Sequence, residues 1–181
     1  EYMREAGRVV AVVYDELAKL IKPGMSTWEV DQLAEKIMRR EGATPAEKGY
    51  PSGMRGVPPY PASICISIND EVIHGIPSKH KYIKEGDIVS LDAGVIYKGY
   101  HSDAARTHAV GEIRPDLQKL IDVTRESFFE GIKFAKEGNH LYDISRAIGD
   151  YAESFGYGVV RELCGHGIGT SLHESPEIPN F

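Results

Sequence analysis

The sequence predicts an α+β fold: two halves, each a pair of helices followed by sheet, related by a pseudo-twofold. Two amphipathic stretches at helical spacing precede an alternating apolar stretch that folds back on itself as a β-hairpin. A segment that opens a helix in the first half then recurs in the second in the same register, which is the mark of an internal repeat.

Met3, Ala6, Val9, Val10, Val13, Leu17, Leu20 and Ile21 form a helical stripe that Pro23-Gly24 stops. Ser26-Thr27-Trp28-Glu29 has capping-box spacing and opens a second helix to about Glu41, which Gly42 ends. Residues 43–61, rich in Gly, Pro and Tyr, predict a long ordered loop. Ala62 to Asn69 predicts a short strand, and Glu85-Gly86-Asp87 turns the chain into a hairpin from Ile88 to Val110. Pro115 starts a long helix to about Lys136, and Tyr142 to Phe155 predicts another.

The repeat matches Lys22-Pro23-Gly24-Met25-Ser26-Thr27-Trp28-Glu29-Val30 to Lys136-Glu137-Gly138-Asn139-His140-Leu141-Tyr142-Asp143-Ile144, and its register holds through Ile37/Tyr151 to Gly42/Gly156. The chain therefore reads as one domain, 1–181, with a first half of about 1–114 and a second of about 115–181. After Gly42 the first half runs on to Val110, whereas after Gly156 the sequence stops at Phe181, so the second half is expected to be incomplete.

A net charge of -6 argues against nucleic-acid or anionic-membrane binding driven by bulk charge. No apolar run approaches the roughly 18–20 residues that span a bilayer, and no signal peptide is visible. Two cysteines, Cys65 and Cys164, are too few for a disulfide framework, which points to a reducing, cytoplasmic setting.

The chemistry centres on Asp92 and Asp103, on opposite arms of the hairpin. If Tyr97-Lys98 forms its two-residue loop, the aspartates face each other. If Lys98-Gly99 forms it, Asp103 faces Gly94, on the same sheet face as Asp92. Either register gathers two like charges that destabilise a sheet unless a cation lies between them, and a divalent ion is the simplest one. Val89, Leu91, Ala93 and Val95 flank Asp92, so an unpaired carboxylate there would be costly. In Cys164-Gly165-His166-Gly167-Ile168-Gly169 the glycines let the backbone close around one imidazole. Two carboxylates and an imidazole suit Mn, Fe, Co or Zn rather than a thiolate site. His74 lies in Glu71-Val72-Ile73-His74-Gly75-Ile76-Pro77, just after a predicted strand, His173 lies in Leu172-His173-Glu174-Ser175-Pro176, and Cys65 reads by itself as a small buried hydrophobe.

Together these segments resemble the methionine aminopeptidases in their short bacterial form. The likeness is carried by Tyr60-Pro61-Ala62-Ser63-Ile64-Cys65-Ile66-Ser67-Ile68-Asn69 running into Glu71-Val72-Ile73-His74-Gly75-Ile76-Pro77, by Asp87-Ile88-Val89-Ser90-Leu91-Asp92, by Gly99-Tyr100-His101-Ser102-Asp103, and by Gly165-His166-Gly167-Ile168-Gly169 with His173. The resemblance implies the pita-bread fold, a curved antiparallel sheet backed by two helix pairs. It implies a metallo-exopeptidase that removes N-terminal methionine from nascent polypeptides through a hydroxide bridging two divalent ions (Co, Mn, Fe or Zn). Asp92, Asp103 and His166 are then metal ligands, Asp103 bridging. His74 and His173 are catalytic contacts around the scissile amide, and Tyr60 and Cys65 line the methionine pocket, with Tyr50 a weaker candidate. The implied partners are nascent polypeptide N-termini met by a cytoplasmic monomer, with ribosome proximity left open and no nucleic acid or membrane.

Three departures accompany the resemblance. The family pattern has further glutamate ligands beyond Phe181, so the ligand set here is expected to be partial and its metal binding weak. Leu172 stands where the family has an aromatic, and Pro51 to Pro59 is longer than the usual loop. Two alternatives stay open: a pita-bread exopeptidase of Xaa-Pro type, and a catalytically dead homologue that only binds peptides.

Overall fold

Apolar spacing makes the first element. In a computed structural model describing residues 1–181, helix α1 (Tyr2–Leu20) buries Ala6, Val9, Val10, Val13, Tyr14 and Leu17 along one stripe. Helix α2 (Thr27–Arg40) opens on the expected capping box: Glu29 N–H donates to Ser26 Oγ at 3.2 Å, and Ser26 N–H donates to Glu29 Oε2 at 2.8 Å. It ends where Gly42 takes φ 79°, a left-handed conformation that costs glycine little.

The stretch expected to be loop contains a strand, β1 (Thr44–Pro45), paired antiparallel with Val95 and Ile96. Two residues are too few to show any period, and the edge position tolerates the missing N–H of Pro45. Strand β2 (Cys65–Ile68) is shorter than the stretch that suggested it. Strands β3 (Ile88–Tyr97) and β4 (Tyr100–Ala109) form the hairpin. Lys98 at φ 49° and Gly99 at φ 83° make its two-residue turn, as the right-handed twist of paired strands favours. That turn selects the second of the two registers, with Asp103 opposite Gly94. β3 is central: β4 runs along one side, and β1 and β2 pair with different parts of the other, all antiparallel.

Alternation then sorts the side chains of β3. Val89, Leu91, Ala93 and Val95 join Ile64, Ile66 and Ile68 in the core under α1 and α2, which leaves Ser90, Asp92 and Gly94 on the opposite sheet face. From α1, the buried Tyr14 hydroxyl reaches the carbonyls of Leu91 at 3.1 Å and of Ala104, fastening the helix across both arms of the hairpin.

The acidic residues of α2 hold the start of β2. Asp31, 3% exposed, accepts at Oδ1 from the N–H groups of Ser63 at 2.7 Å and Ile64 at 3.1 Å. One turn on, Glu35 Oε2 accepts from Ser63 Oγ at 2.7 Å and from Lys48 Nζ at 2.6 Å. The bond from Lys48, then those from Ser63 and Arg39, hold the Glu35 carboxyl down at about 2 against the opposing effect of burial. Because the folded value lies below the unfolded one of about 4.3, this contribution is intact above pH 4.3 and lost as pH falls toward 2. A thermal-melting series across that window should show the midpoint falling less steeply with acid in Glu35→Gln than in the parent; equal slopes would refute the assignment.

The chain divides into two compact units, Glu1–Ile113 with Ile168–Leu172, and Arg114–Gly167 with His173–Phe181. Residues 168–172 belong with the first unit, where His101 N–H donates to Gly169 O at 2.7 Å. In the second unit, α3 (Pro115–Ile132) packs on α4 (Leu141–Ser154), and β5 (Gly165–Gly167) pairs with β6 (Glu174–Ile178). The repeat has a matching local conformation. Gly24 and Gly138 both sit at φ 91°, and Gly42 and Gly156 at 79° and 83°. Asp143 Oδ2 accepts from His140 N–H at 2.8 Å, as Glu29 does from Ser26. No helix is long and apolar enough to cross a membrane.

Candidate metal centre

Strand pairing sets the first two carboxylates. On the sheet face away from the helices, Asp92 lies opposite Cys65 of β2 and Ala105 of β4, while Asp103 lies opposite Gly94. Asp92 and Asp103 are thus diagonal neighbours across the hairpin.

A third carboxylate joins them from the chain just after β1. Ala46 N–H donates to Gly94 O at 3.1 Å, which continues the pairing, and Glu47 Oε1 accepts from Gly94 N–H. One oxygen from each of Glu47, Asp92 and Asp103 lies within 4.8 Å of the other two. This close approach needs glycine: a Cβ on residue 94 would stand 2.9 Å from Glu47 Oε1 and 3.1 Å from Ala46 Cβ.

The cluster is electrostatically uncomfortable as it stands. Burial, with Asp103 beside it, raises the Asp92 carboxyl to about 7. Burial also pushes Glu47 up to about 9, against the pull of the Gly94 N–H and with Asp103 and Asp92 adding to the rise. Glu47 Oε2 is sealed from solvent and accepts no hydrogen bond. Carboxylates gathered this closely, with one Glu47 oxygen unpartnered, fit a divalent cation.

The candidate substrate residues of this unit are locked to β2. His74 is exposed, at φ 57°, a conformation that is uncommon outside glycine. The next residue, Gly75, donates its N–H to Ser67 Oγ at 3.1 Å and accepts at its carbonyl from Ile66 N–H at 2.8 Å and Tyr60 OH at 3.0 Å. Tyr60 and His74 are therefore held against one strand. Cys65 is 4% exposed; burial, with the nearby carboxylates, pushes its thiol up to about 12 despite a hydrogen bond with Tyr60. It is protonated at neutral pH and is no nucleophile. Tyr50 stays at the surface.

In the second unit His166 lies on β5 with Nδ1 2.9 Å from the Gly167 carbonyl. A carbonyl only accepts, so Nδ1 carries the proton and Nε2 presents its lone pair. His173 packs its ring 4.1 Å from that of His166, centroid to centroid.

Glu47 is the residue that reading the sequence missed. A glutamate in Pro45-Ala46-Glu47-Lys48, inside a Gly/Pro-rich stretch, carries no pattern of its own. Its burial comes from pairing with a strand far along the chain. The alternation that would mark a buried position needs more than the two residues of β1.

Comparison with known proteins agrees with this geometry. The model of metallopeptidase family M24 matches residues 1–181. The methionine aminopeptidase of Clostridium acetobutylicum is 54% identical over 181 residues, 100% of this chain and 70% of that relative. The crystal structure of methionine aminopeptidase from Thermotoga maritima has a TM-score of 0.93 at 44% identity, over 99% of this chain and 70% of that one. An Xaa-Pro dipeptidase from Bacillus anthracis is also similar, with a TM-score of 0.81 and 31% identity, but the likeness covers 47% of its length. These likenesses bear out the expected pita-bread class of α+β fold and, with the carboxylate cluster, the use of divalent metal. The chain belongs to metallopeptidase family M24, among its methionine aminopeptidases.

Proposed function

We propose that this protein removes the N-terminal methionine from newly made polypeptides in the cytoplasm by metal-dependent hydrolysis. The observation that carries the reading is the half-buried cluster of carboxylate oxygens within 4.8 Å of one another, in a chain of this family.

Bound divalent metal supplies Lewis acidity at the peptide carbonyl and a water activated near neutral pH. The chain's own residues hold it and arrange the substrate. Asp92 and Asp103 would hold that metal (Co, Mn, Fe or Zn) through their carboxylates, and His166 would ligate it through Nε2. The fixed tautomer of His166 supports that role, because it leaves a lone pair on the outer nitrogen. His74 and His173 donate hydrogen bonds to charge developing around the scissile amide. The left-handed backbone of His74, locked by Gly75, supports its part, since strain of this kind is retained where an orientation matters. The aromatic ring of Tyr60 and the protonated thiol of Cys65 suit an unbranched thioether.

A peptide beginning Met-Ala, incubated with the protein, should release free methionine on addition of Mn²⁺ or Co²⁺. Release should stop when EDTA removes the metal, and the N-acetylated peptide should stay intact. Turnover that survives chelation would defeat the metallopeptidase reading, and preferential cleavage of Xaa-Pro peptides would replace the methionine reading with its rival.

A further inference from the structure

The proposed reaction leaves Glu47 without a task, yet its setting is hard to explain as scaffolding. It is 8% exposed, and one carboxylate oxygen, Oε1, is occupied by the Gly94 N–H. The other, Oε2, is closed off from solvent with no donor to meet it. Its neighbour Lys48 does not compensate it, since that ammonium is drawn to Glu35 at 2.6 Å. The nearby ionisable groups are acids: Asp92 and Asp103 lie within reach, and the Tyr14 hydroxyl is pushed upward by burial and by all three carboxylates. Glycine at position 94 leaves the room that Glu47 occupies. A buried glutamate facing two aspartates destabilises the metal-free fold. A cation among the three carboxylates would satisfy the idle oxygen and the crowding at once.

We propose that Glu47 is a further metal ligand, placing Oε2 on a divalent cation shared with Asp92 and Asp103. This rests on the reading of Asp92 and Asp103 as ligands and extends it: the first unit alone then carries an all-carboxylate cation site. The chemistry of that set also sets a preference. Three anionic oxygens favour hard ions such as Mn²⁺ more than they favour Zn²⁺, which gains more from imidazole or thiolate. Glu47 thus acts as a selector for oxygen-preferring metal.

Calorimetric titration of the metal-free protein with Mn²⁺ and with Zn²⁺, alongside Mn²⁺ electron paramagnetic resonance, tests this with no assay of turnover. Glu47→Gln keeps the shape and the Gly94 hydrogen bond while removing the charge. It should weaken Mn²⁺ binding by about tenfold or more, weaken Zn²⁺ binding less, and leave the metal-free melting midpoint unchanged or higher. A purely structural role would lower that midpoint and leave the Mn²⁺/Zn²⁺ ratio alone. Asp103→Asn separates the two readings. Parent-like Mn²⁺ affinity in Glu47→Gln, with loss in Asp103→Asn, overturns the role of Glu47 and keeps the aspartate pair. Parent-like affinity in both overturns the metal assignment itself. Should Glu47→Gln fail to fold, Glu47→Asp keeps the charge but withdraws the oxygen by one methylene, and undiminished Mn²⁺ affinity in that variant overturns the proposal equally.

Discussion

Asp103→Asn should release methionine at least about a thousandfold more slowly than the parent, a loss of roughly 4 kcal/mol of transition-state stabilisation. The size follows from position. Asp103 lies opposite Gly94, diagonal to Asp92, and on the proposed reading its charge would help to hold the divalent ion that supplies Lewis acidity and activated water. Asparagine keeps the volume and one acceptor oxygen but removes the charge. The fold should not suffer, because the substitution relieves repulsion that helps to raise the Asp92 and Glu47 carboxyls in the metal-free cluster. Steady-state methionine release at saturating Mn²⁺, paired with a melting curve, reads the two effects separately. A variant that melts like the parent and turns over within threefold of it would remove Asp103 from the metal site.

Gly75→Ala should be the most damaging single methyl group in the first unit. A Cβ at residue 75 would lie 2.1 Å from the Ile66 carbonyl oxygen, 2.7 Å from its carbon and 3.0 Å from Ser67 Cα, all backbone atoms. No flexible side chain is available to yield, so the loop itself has to move away from β2. Moving it strains or breaks the bonds that Gly75 makes with Ile66, Ser67 Oγ and Tyr60 OH. A destabilisation of about 2–4 kcal/mol follows from overpacking plus lost hydrogen bonds. Methionine release should fall at least about tenfold as His74 and Tyr60 lose their common support. Mn²⁺ affinity should change little, because Asp92 and Asp103 hang on the other strands. A denaturant melt coinciding with the parent's would show that the close approach is not required.

The two variants bracket what could be read from residues in order. The hairpin was legible because period-two alternation extends over both arms, and both permitted registers place Asp92 and Asp103 on one face. The choice between them came from positive φ at Lys98 and Gly99, a conformation that Gly99 suits and Lys98 merely accepts. The capping segments were legible for the same local reason: Ser26 and Glu29 meet across a single turn. Strand β1 was not legible, nor was the assignment of residues 168–172 to the first unit, since both depend on partners distant along the chain.

What the sequence determined by itself was therefore the set of helices, the hairpin, the sharing of one face by two aspartates, and the resemblance carried by long motifs. Each rests on interactions between residues near one another in the chain or on runs long enough to be recognised. What only the tertiary structure decided was Glu47. Its carboxylate enters the cluster because β1 pairs with β3, Gly94 leaves room, and Lys48 is held away by Glu35. None of these causes lies within a few residues of Glu47 in a periodic pattern, except the neighbour that turns away from it. A third carboxyl group is thus added to the aspartate pair by packing.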